Sequence, residues 1–362
     1  MVYKVIGIMS GSSLDGLDIV FCELKENQNK WSYKIMATDC YEYETEWLNN
    51  LKSAETLSAR DYLILDAEYG KYIGEKINYF IQQKNIAEQV QLIASHGHTV
   101  FHLPLKNMTA QLGNGAAIAV TTGIDTVNDL RANDVALGGQ GAPIVPMGEM
   151  LLWNEFDYLL NIGGIANISI KKEDNYTAFD VCAANRVLNM LANEVNKKYD
   201  ENGKMAAGGN VDTTLLNELN TLTYYQQPAP KSLANSFGTE TVYPLIKSFP
   251  VSIEDALRTY VEHIALQIHQ SILKETKLPI SVSRLLVTGG GAHHHFLIER
   301  IKFYLSKEKI EVIIPGKEVI DYKEALVMAL LGVLRLREQN TVLASVTGAK
   351  RNSVGGALWS GK

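Results

Sequence analysis

The chain has 362 residues, of which 46% are hydrophobic and 20% are charged, so its composition is that of a globular protein and its length predicts two domains. It carries 34 lysines and arginines against 40 aspartates and glutamates, a net charge of −6, which disfavours nucleic acid as a partner because nucleic acid binds clustered positive charge. Cys22, Cys40 and Cys182 form no C-x-x-C pair, which excludes a disulfide framework and is typical of a reducing compartment. With neither a signal peptide nor an apolar run of about 18 residues, we expect a cytoplasmic protein that does not cross a membrane.

The sequence opens with a β-branched, apolar segment that predicts a strand over residues 2–8. A polar turn rich in glycine and serine follows, and alternating apolar residues predict a second strand over 17–24. The same pattern returns later in the chain, where two predicted strands within 157–170 are joined by Gly163 and Gly164. This repetition suggests that the protein consists of two similar halves.

Helices and strands alternate along the rest of the chain. Apolar residues at intervals of three and four predict helices over 59–83, 186–198, 253–273 and 323–337. Short apolar runs that are typical of buried strands cover 92–94, 126–127, 285–288 and 312–314. The predicted fold class is therefore α/β, and we expect the first crossing between domains near residues 130–145, which are rich in glycine and proline.

Two glycine-rich segments are candidates for nucleotide binding. Residues 7–18 combine glycines with three serines and two aspartates, so that N–H groups and hydroxyls could bind phosphate and carboxylates could hold Mg²⁺; an ordinary β-turn would also explain them. Residues 289–291 are three glycines between a predicted strand and a helix, where a flat ligand could lie against the backbone, or where the turn needs only unusual dihedrals. The chain contains no P-loop, no complete dinucleotide-binding fingerprint and no protein-kinase signature.

Histidines occur in two clusters. His293–His295 are adjacent and point in different directions, so we predict that they are solvated rather than bound to one metal ion. His96, His98 and His102 alternate near the end of a predicted strand, without the further ligands that a zinc site needs. These three could hydrogen-bond a substrate, or they could pack as polar residues of the core.

Two further polar residues are candidates for substrate binding and catalysis. Arg131 could hold an acidic substrate through its guanidinium, or it could pair internally with Asp129 or Asp134. Asp180 ends a predicted strand ahead of a helix. There a carboxylate could act as a general base, bind Mg²⁺, or only cap the helix.

Taken in order, seven segments closely resemble those of the anhydro-N-acetylmuramic acid kinases, which belong to the actin-like, hexokinase-type ATPase superfamily. The segments are 7–18 (GIMSGSSLDGLD), 95–102 (SHGHTVFH), 129–143 (DLRANDVALGGQGAP), 161–169 (NIGGIANIS), 289–292 (GGGA), 322–325 (YKEA) and 346–349 (VTGA). The resemblance covers essentially the whole chain. It implies an α/β fold of two ribonuclease-H-like domains with a central cleft, one of residues 1–132 with the tail 345–362 and one of residues 133–344, and it implies a homodimer.

The resemblance also implies a reaction. The family opens the 1,6-anhydro bond of anhydro-N-acetylmuramic acid with water and transfers the γ-phosphoryl group of ATP to O6, giving N-acetylmuramic acid 6-phosphate and ADP in murein recycling. The implied ATP contacts are Gly11, Ser12, Ser13, Leu14, Asp15, Gly16, Leu17, Asp18, Gly163, Gly164, Gly289, Gly290 and Gly291. Asp180 would be the catalytic base, and Thr99, Arg131 and Glu324 would contact the sugar. The candidate ligands of the Mg²⁺ that accompanies ATP are Asp15 and Asp180.

Three segments depart from the family pattern. The usual Asp-Thr-Gly-Pro-Gly-Asn reads Asp-Val-Cys-Ala-Ala-Asn at 180–185, the usual Lys-Ser-Thr-Gly-Arg-Glu is replaced by KSLANSFGTE at 231–240, and His98 stands where glutamine is common. Two alternative functions are therefore a kinase of the same fold for another sugar acid, and a catalytically weak sugar or nucleotide sensor or chaperone-like ATPase.

Overall fold

The computed structural model describes residues 1–11, 14, 16–172, 176–229, 231–234, 236–276 and 282–362. They form two compact units, Met1–Asn154 with Tyr322–Lys362, and Glu155–Asp321. The strands are β1 Val2–Ser10, β2 Leu17–Asn27, β3 Lys30–Tyr41, β4 Leu92–Leu103, β5 Met108–Leu112, β6 Thr126–Asn128, β7 Tyr158–Ile162, β8 Ile165–Lys171, β9 Tyr176–Ala183, β10 Ser283–Thr288, β11 Ile310–Ile313 and β12 Ala357–Trp359. The helices are α1 Thr45–Ser53, α2 Ala59–Lys84, α3 Gly115–Thr122, α4 Ala132–Ala136, α5 Val145–Leu152, α6 Asn185–Asn193, α7 Lys204–Gly208, α8 Thr213–Thr221, α9 Tyr243–Lys247, α10 Ile253–Glu275, α11 His295–Leu305, α12 Lys317–Leu336 and α13 Ala344–Thr347.

Each unit contains a mixed sheet, and the two sheets share one strand order. The first sheet runs β12-β6-β4-β1-β2-β3, with β5 also paired to β4, and the second runs β11-β10-β7-β8-β9. Each begins with an antiparallel meander of three strands, whose first strand also pairs in parallel with β4 or β10. This is the order of a ribonuclease H-like sheet. Its occurrence in both units confirms the α/β class and the two similar halves that the repeated hairpin predicted.

Each sheet packs against a long amphipathic helix. In the first unit Ile73, Ile77 and Phe80 of α2 follow helical spacing and are fully buried against the sheet. In the second unit Tyr260 and Ile264 of α10 are fully buried in the same way. Burial of such side chains is the main stabilising contribution to each core.

The observed helix ends agree with the predicted ones in some helices and differ in others. Helices α2 and α10 begin at the predicted residues because Ser58 and Ser252 cap them, each accepting a hydrogen bond from a backbone N–H of the first turn. The helix predicted over 186–198 is shorter, since α6 ends at Asn193. Beyond it the chain turns, and Asn196 has a φ of 57°, which a right-handed helix does not allow.

The first segment of the first unit ends at Asn154. The boundary expected from the resemblance was residue 132. Helix α5 packs against β3, and Trp153, which follows α5, donates from Nε1 to the hydroxyl of Tyr33, 3.1 Å away. Strand β3 was not among the predicted strands. The sequence therefore offered no partner for α5 in this unit.

Helix α12 returns the chain to the first unit well before residue 344, the second expected boundary. Its dihedrals depart from helical values at Tyr322 (φ −118°, ψ 16°), where the second segment of the first unit begins. Beyond this point α12 crosses β1 so closely that a Cβ on Gly7 would lie 1.9 Å from the carbonyl oxygen of Ala325. Only a glycine allows this approach.

Candidate active site

A ring of hydroxyl groups lies at the base of the turn between β1 and β2. The buried Oγ of Ser10 is 2.7 Å from the hydroxyl of Tyr43 and 3.0 Å from that of Tyr69, and the two tyrosine hydroxyls are 2.7 Å apart. His98 is also buried, and its Nδ1 lies 3.2 Å from Ser10 Oγ. Because buried hydroxyls in such a network satisfy one another, the ring fixes the last residue before the turn.

The turn itself is described only in part. Of the predicted nucleotide contacts, Ser12, Ser13 and Asp15 lie outside the described residues. Leu14 has a φ of 58° and donates its N–H to the carbonyl of Gly11 at 3.2 Å. A Cβ on Gly16 would lie 2.6 Å from Sγ of Cys40. The remaining two contacts of this group, Leu17 and Asp18, are the first residues of β2.

Arg131 is held beside His96 in the first unit. Its Nε donates to His96 Nε2 at 2.8 Å, and its Nη1 donates to the carbonyl of Gly141 at 2.6 Å. His96 Nδ1 is 2.8 Å from the carbonyl of Gly97, so it carries the proton and leaves Nε2 as an acceptor. Burial, together with the charge of Arg131, lowers the pKa of His96 to about 3. His96 is therefore a neutral acceptor that orients the arginine.

Among the described residues, the hydrogen bonds of this arginine go to His96 and Gly141 and not to Asp129 or Asp134, the internal partners that the sequence left open. Burial lowers the pKa of Arg131 to about 10, and the negative charges of Glu324 and Asp134 act in the opposite direction. The guanidinium remains charged at neutral pH. The oxygens of Asp134 accept instead from the Gly141 N–H at 2.8 Å and from the Thr347 hydroxyl at 2.7 Å.

The other predicted sugar contacts belong to the same unit. Thr99 lies on β4, the strand of His96, half-buried and opposite Gln111. Glu324 lies on α12, where its charge acts on Arg131. His102 is farther along β4, with its Nδ1 3.1 Å from the Thr109 hydroxyl. The described contacts of His96 and His98 are thus internal, as expected of polar core residues.

Asp180 lies inside β9 of the second unit, with three hydrogen bonds fixing its position. Its Oδ2 accepts from the N–H of Leu233 at 2.8 Å, and its backbone carbonyl accepts from the hydroxyl of Tyr224 at 2.6 Å. Its own N–H donates to the carbonyl of Lys231 at 3.0 Å. Burial raises the pKa of this carboxyl, opposed by the hydrogen bond from Leu233. Because β9 continues to Ala183, Asp180 is not the helix cap that the sequence also allowed.

The two glycine turns of the second unit meet at Asn185. The N–H of Asn185 donates to the carbonyl of Gly163 at 3.1 Å, and its Nδ2 donates to the carbonyl of Ile162 at 3.0 Å. A Cβ on Gly290 would lie 3.6 Å from the same Nδ2. Gly289 has a φ of 79°, and a Cβ there would meet the side chain of Asn161 at 2.6 Å. Residue 289 therefore has to be glycine.

The altered loop after Asp180 lies in the core. Cys182 and Ala184 stand where the family usually has glycine, and Ala183 where it has proline. Their exposed fractions are 0%, 0% and 2%, and all three belong to the hydrophobic core of the second unit. The side chains that replace the two glycines therefore fill space inside the unit, whereas Ala183 is smaller than the usual proline.

A cavity of about 500 Å³ in the second unit adjoins these turns, within the usual range for small-molecule sites. It is lined by Asn185, Leu188, Asn189, Tyr199, Asp200, Glu201, Asn202, Gly290, His293, His294, Lys317 and Asp321. Most of the lining residues are of polar types, and they include both signs of charge. Most of these residues were not predicted as site residues, because they come from separate turns and helix ends that no single sequence pattern joins.

The prediction that His293–His295 are solvated is wrong for His294. This residue is buried and caps α11, its Nδ1 accepting from the N–H of Leu297 at 3.1 Å, and burial lowers its pKa. His293 instead lies at the cavity with its Nε2 2.7 Å from a carboxylate oxygen of Asp321, and His295 is exposed. Adjacent histidines carry no periodicity, so no sequence pattern distinguishes the buried histidine from its exposed neighbours.

Within the described ranges, no group of three or more histidine, cysteine, aspartate or glutamate side chains is arranged to hold a metal ion. Mg²⁺ bound through nucleotide phosphates and water needs only one or two protein carboxylates, and Asp180 is the described candidate. No helix in the described segments is both long and apolar enough to cross a membrane.

The family profile and the individual relatives that match this chain carry the same family name and cover nearly its whole length. The family profile described as "Anhydro-N-acetylmuramic acid kinase" matches residues 3–361. Proteins of that name from Mannheimia succiniciproducens and Vibrio parahaemolyticus are 34% and 32% identical over 363 and 367 residues. These alignments cover 95% and 98% of this chain, and 96% and 98% of those proteins. Among solved structures, component A of the Acidaminococcus fermentans (R)-2-hydroxyglutaryl-CoA dehydratase has a TM-score of 0.47 at 13% identity, covering 91% of this chain and 97% of that one. The family match and the curated relatives show that the chain belongs to the anhydro-N-acetylmuramic acid kinase family.

Proposed function

We propose that this protein uses ATP and water to convert anhydro-N-acetylmuramic acid into N-acetylmuramic acid 6-phosphate and ADP, in the recycling of cell-wall murein. The observation that carries the proposal is the family match over residues 3–361, in a chain that keeps Asp180 as a partly buried carboxylate. The protein is then a phosphotransferase with an alcohol group as acceptor.

Asp180 is the proposed general base. One carboxylate oxygen is held by the N–H of Leu233, so the group has a fixed orientation, and its raised pKa makes it a stronger base than an exposed aspartate. In the proposed step, water attacks the anomeric carbon and gives its proton to Asp180. The bond from that carbon to O6 breaks, O6 forms its bond to the γ-phosphorus, and ADP leaves with the electrons of the broken phosphoanhydride bond.

Arg131, Thr99 and Glu324 are the proposed sugar contacts. The guanidinium of Arg131 is charged and already oriented by His96, which suits the lactyl carboxylate that distinguishes a muramic acid from a neutral hexose. Glu324 and Thr99 offer a carboxylate acceptor and a hydroxyl for polar groups of the sugar. A preorganised arginine of this kind favours an acidic sugar over a neutral one.

The glycine turns are the proposed ATP contacts. The turns of Gly163–Gly164 and Gly289–Gly291 meet at Asn185, and Gly290 borders the cavity. A nucleoside in the cavity would have its phosphates near the backbone of these turns. Residues 11–18 of the first unit are proposed to contact the phosphates as well. Mg²⁺ would neutralise phosphate charge when bound with ATP, and Asp15 and Asp180 are the proposed candidates to hold it.

We also propose that the protein acts in the cytoplasm as a homodimer, as the family resemblance implies. Light scattering of the purified protein would test the oligomeric state. A monomer at assay concentration would contradict the dimer and leave the proposed reaction unaffected.

The decisive experiment measures ADP release from the purified protein with Mg-ATP, with and without anhydro-N-acetylmuramic acid, alongside mass spectrometry of the sugar. We expect sugar-dependent ADP and a product heavier by one phosphoryl group and one water. Turnover only with a different sugar acid would identify another acceptor. ATP binding without any sugar-dependent turnover would instead indicate a sensor or chaperone-like ATPase.

A further inference from the structure

We propose that Arg186 binds the phosphate groups of the nucleotide, through an arginine contact at the turn formed by Gly163 and Gly164. The inference rests on the proposed use of ATP. It assigns a residue that the family motifs quoted above do not include, because Arg186 follows directly after the asparagine that ends the altered loop.

The side chain of Arg186 lies over the glycine turn. Arg186 is the second residue of α6, and its backbone N–H is 3.4 Å from the carbonyl of Gly164. A Cβ on Gly164 would lie 3.6 Å from Nε and 3.8 Å from Nη2 of the arginine. Apart from its chain neighbours, no other described residue comes closer to that Cβ position. The guanidinium is therefore next to the backbone that is proposed to receive phosphate oxygens.

Arg186 carries a charge that the described chain does not neutralise. Its Nε is buried and has no hydrogen-bond partner, and no ion pair joins its guanidinium to a carboxylate in the described segments. The residue as a whole is half-buried, and a donor that is removed from water without an acceptor is costly. Other arginines are paired, such as Arg300 with Glu262 at 2.8 Å and Arg337 with Glu26 at 3.0 Å. The arrangement around Arg186 suits an anionic ligand.

The groups described next to Arg186 offer no further side-chain donor for that anion. The side-chain amide of Asn185 is already committed to the carbonyl of Ile162, and the turn offers only backbone atoms. A planar guanidinium can donate two parallel hydrogen bonds to the oxygens of one phosphate. A nucleoside diphosphate or triphosphate fits both the cavity and the arginine, with its base in the cavity at Gly290 and its phosphates at Arg186.

The test compares binding of ADP, adenosine and pyrophosphate by calorimetry in the full-length protein and in Arg186→Met, which removes the charge and keeps most of the side-chain volume. We expect the affinity for ADP to fall by about tenfold or more, as for the loss of a charge-assisted hydrogen bond, while the affinity for adenosine changes less than twofold. Arg186→Lys should recover part of the loss, because it restores the charge without the planar fork. Pyrophosphate binding that depends equally on Arg186 would mean that the site takes phosphate groups without a nucleoside.

Arg258 provides a matched control. It belongs to the same unit, its Nε is also buried without a hydrogen-bond partner, and its guanidinium lies 4.8 Å from the centre of the Phe296 ring. Arg258→Met should leave ADP affinity unchanged. An equal loss of ADP affinity in both variants, an equal loss of ADP and adenosine affinity in Arg186→Met, or unchanged ADP affinity in Arg186→Met would each overturn the inference.

The inference and the proposed reaction fail separately. Sugar-dependent turnover by the unmodified protein, with unchanged ADP affinity in Arg186→Met, would refute the role of Arg186 alone. Absence of turnover, with an ADP affinity that depends on Arg186, would refute the reaction alone. If the unmodified protein binds no ADP, both are wrong.

Discussion

Asp180, the proposed general base, is partly buried, and burial raises the pKa of its carboxyl. Removal of its charge in Asp180→Asn should reduce kcat by about 10²–10⁴, the usual contribution of a general base. The KM for the sugar should change little, because the amide keeps the size of the side chain and can still accept from Leu233. Steady-state kinetics with both substrates would measure this. A variant with normal kcat would exclude Asp180 as the base.

The raised pKa of Asp180 also predicts a pH dependence of stability. The folded protein binds this proton more tightly than the unfolded chain does, so stability falls as pH rises from the ordinary aspartate pKa through the raised value. Asp180→Asn lacks this loss. The variant should therefore have a higher Tm than the unmodified protein at pH 8, and the difference should shrink as pH falls below the raised pKa. A lower Tm for the variant at pH 8 would contradict burial as the cause of the shift.

His96 is predicted to act on the sugar through Arg131. In His96→Ala the Nε of Arg131 loses its acceptor, so the guanidinium is less well oriented, and we expect the KM for the sugar to rise about tenfold, the effect of one hydrogen bond to a charged group. The KM for ATP should change much less. His96→Gln can present an acceptor oxygen and should restore part of the affinity. Equal increases in both KM values would mean that His96 supports the unit as a whole.

At the scale of one element, the turn of Gly289–Gly291 requires a glycine at its first position. Gly289→Ala would place a Cβ 2.6 Å from Asn161 Oδ1 and 2.8 Å from the carbonyl of Ile162, at a φ of 79°. We expect a loss of stability of about 1–3 kcal/mol, typical of a residue forced into strained dihedrals, and weaker ATP binding. Urea denaturation would measure the stability.

Gly208 supplies the control for this turn. It is exposed, ends α7, lacks a positive φ and has nothing within 4 Å of its Cβ position. Gly208→Ala should be neutral or slightly stabilising, because alanine reduces the entropy of the unfolded chain. If both alanine variants had the same stability, strain at residue 289 could not explain the requirement for glycine there.

Periodicity predicted the long elements well and the short or exposed ones poorly. It identified α2 and α10, because a buried stripe at helical spacing and a serine cap mark them locally. It missed β3, whose residues over Lys30–Tyr41 alternate between exposed and half-buried and so lack a strongly apolar face. The same contrast between features with and without a local sequence signal applies to the candidate site. Motifs identified Asp180 and the glycine turns, whereas Arg186 and His294 acquire their surroundings only when distant segments meet.

At the scale of the whole molecule, the first unit is discontinuous in sequence, and a buried ion pair joins its two segments. Lys323 of α12 and Glu149 of α5 form this pair, with Nζ 2.8 Å from Oε1 and both side chains at most 5% exposed. Lys323→Met should destabilise the first unit by about 3–5 kcal/mol, because it leaves the carboxylate of Glu149 buried without its cation.

The double variant Lys323→Met/Glu149→Leu separates the pair from the packing around it. Replacing a buried ion pair by apolar side chains of similar volume is often neutral or stabilising, so the double variant should recover most of the stability lost in Lys323→Met. Chemical denaturation followed by tryptophan fluorescence is suitable, because Trp153 is buried beside α5 in the same unit. If the double variant were as unstable as the single one, the packing of α12 on α5, and not the ion pair, would hold the two segments together.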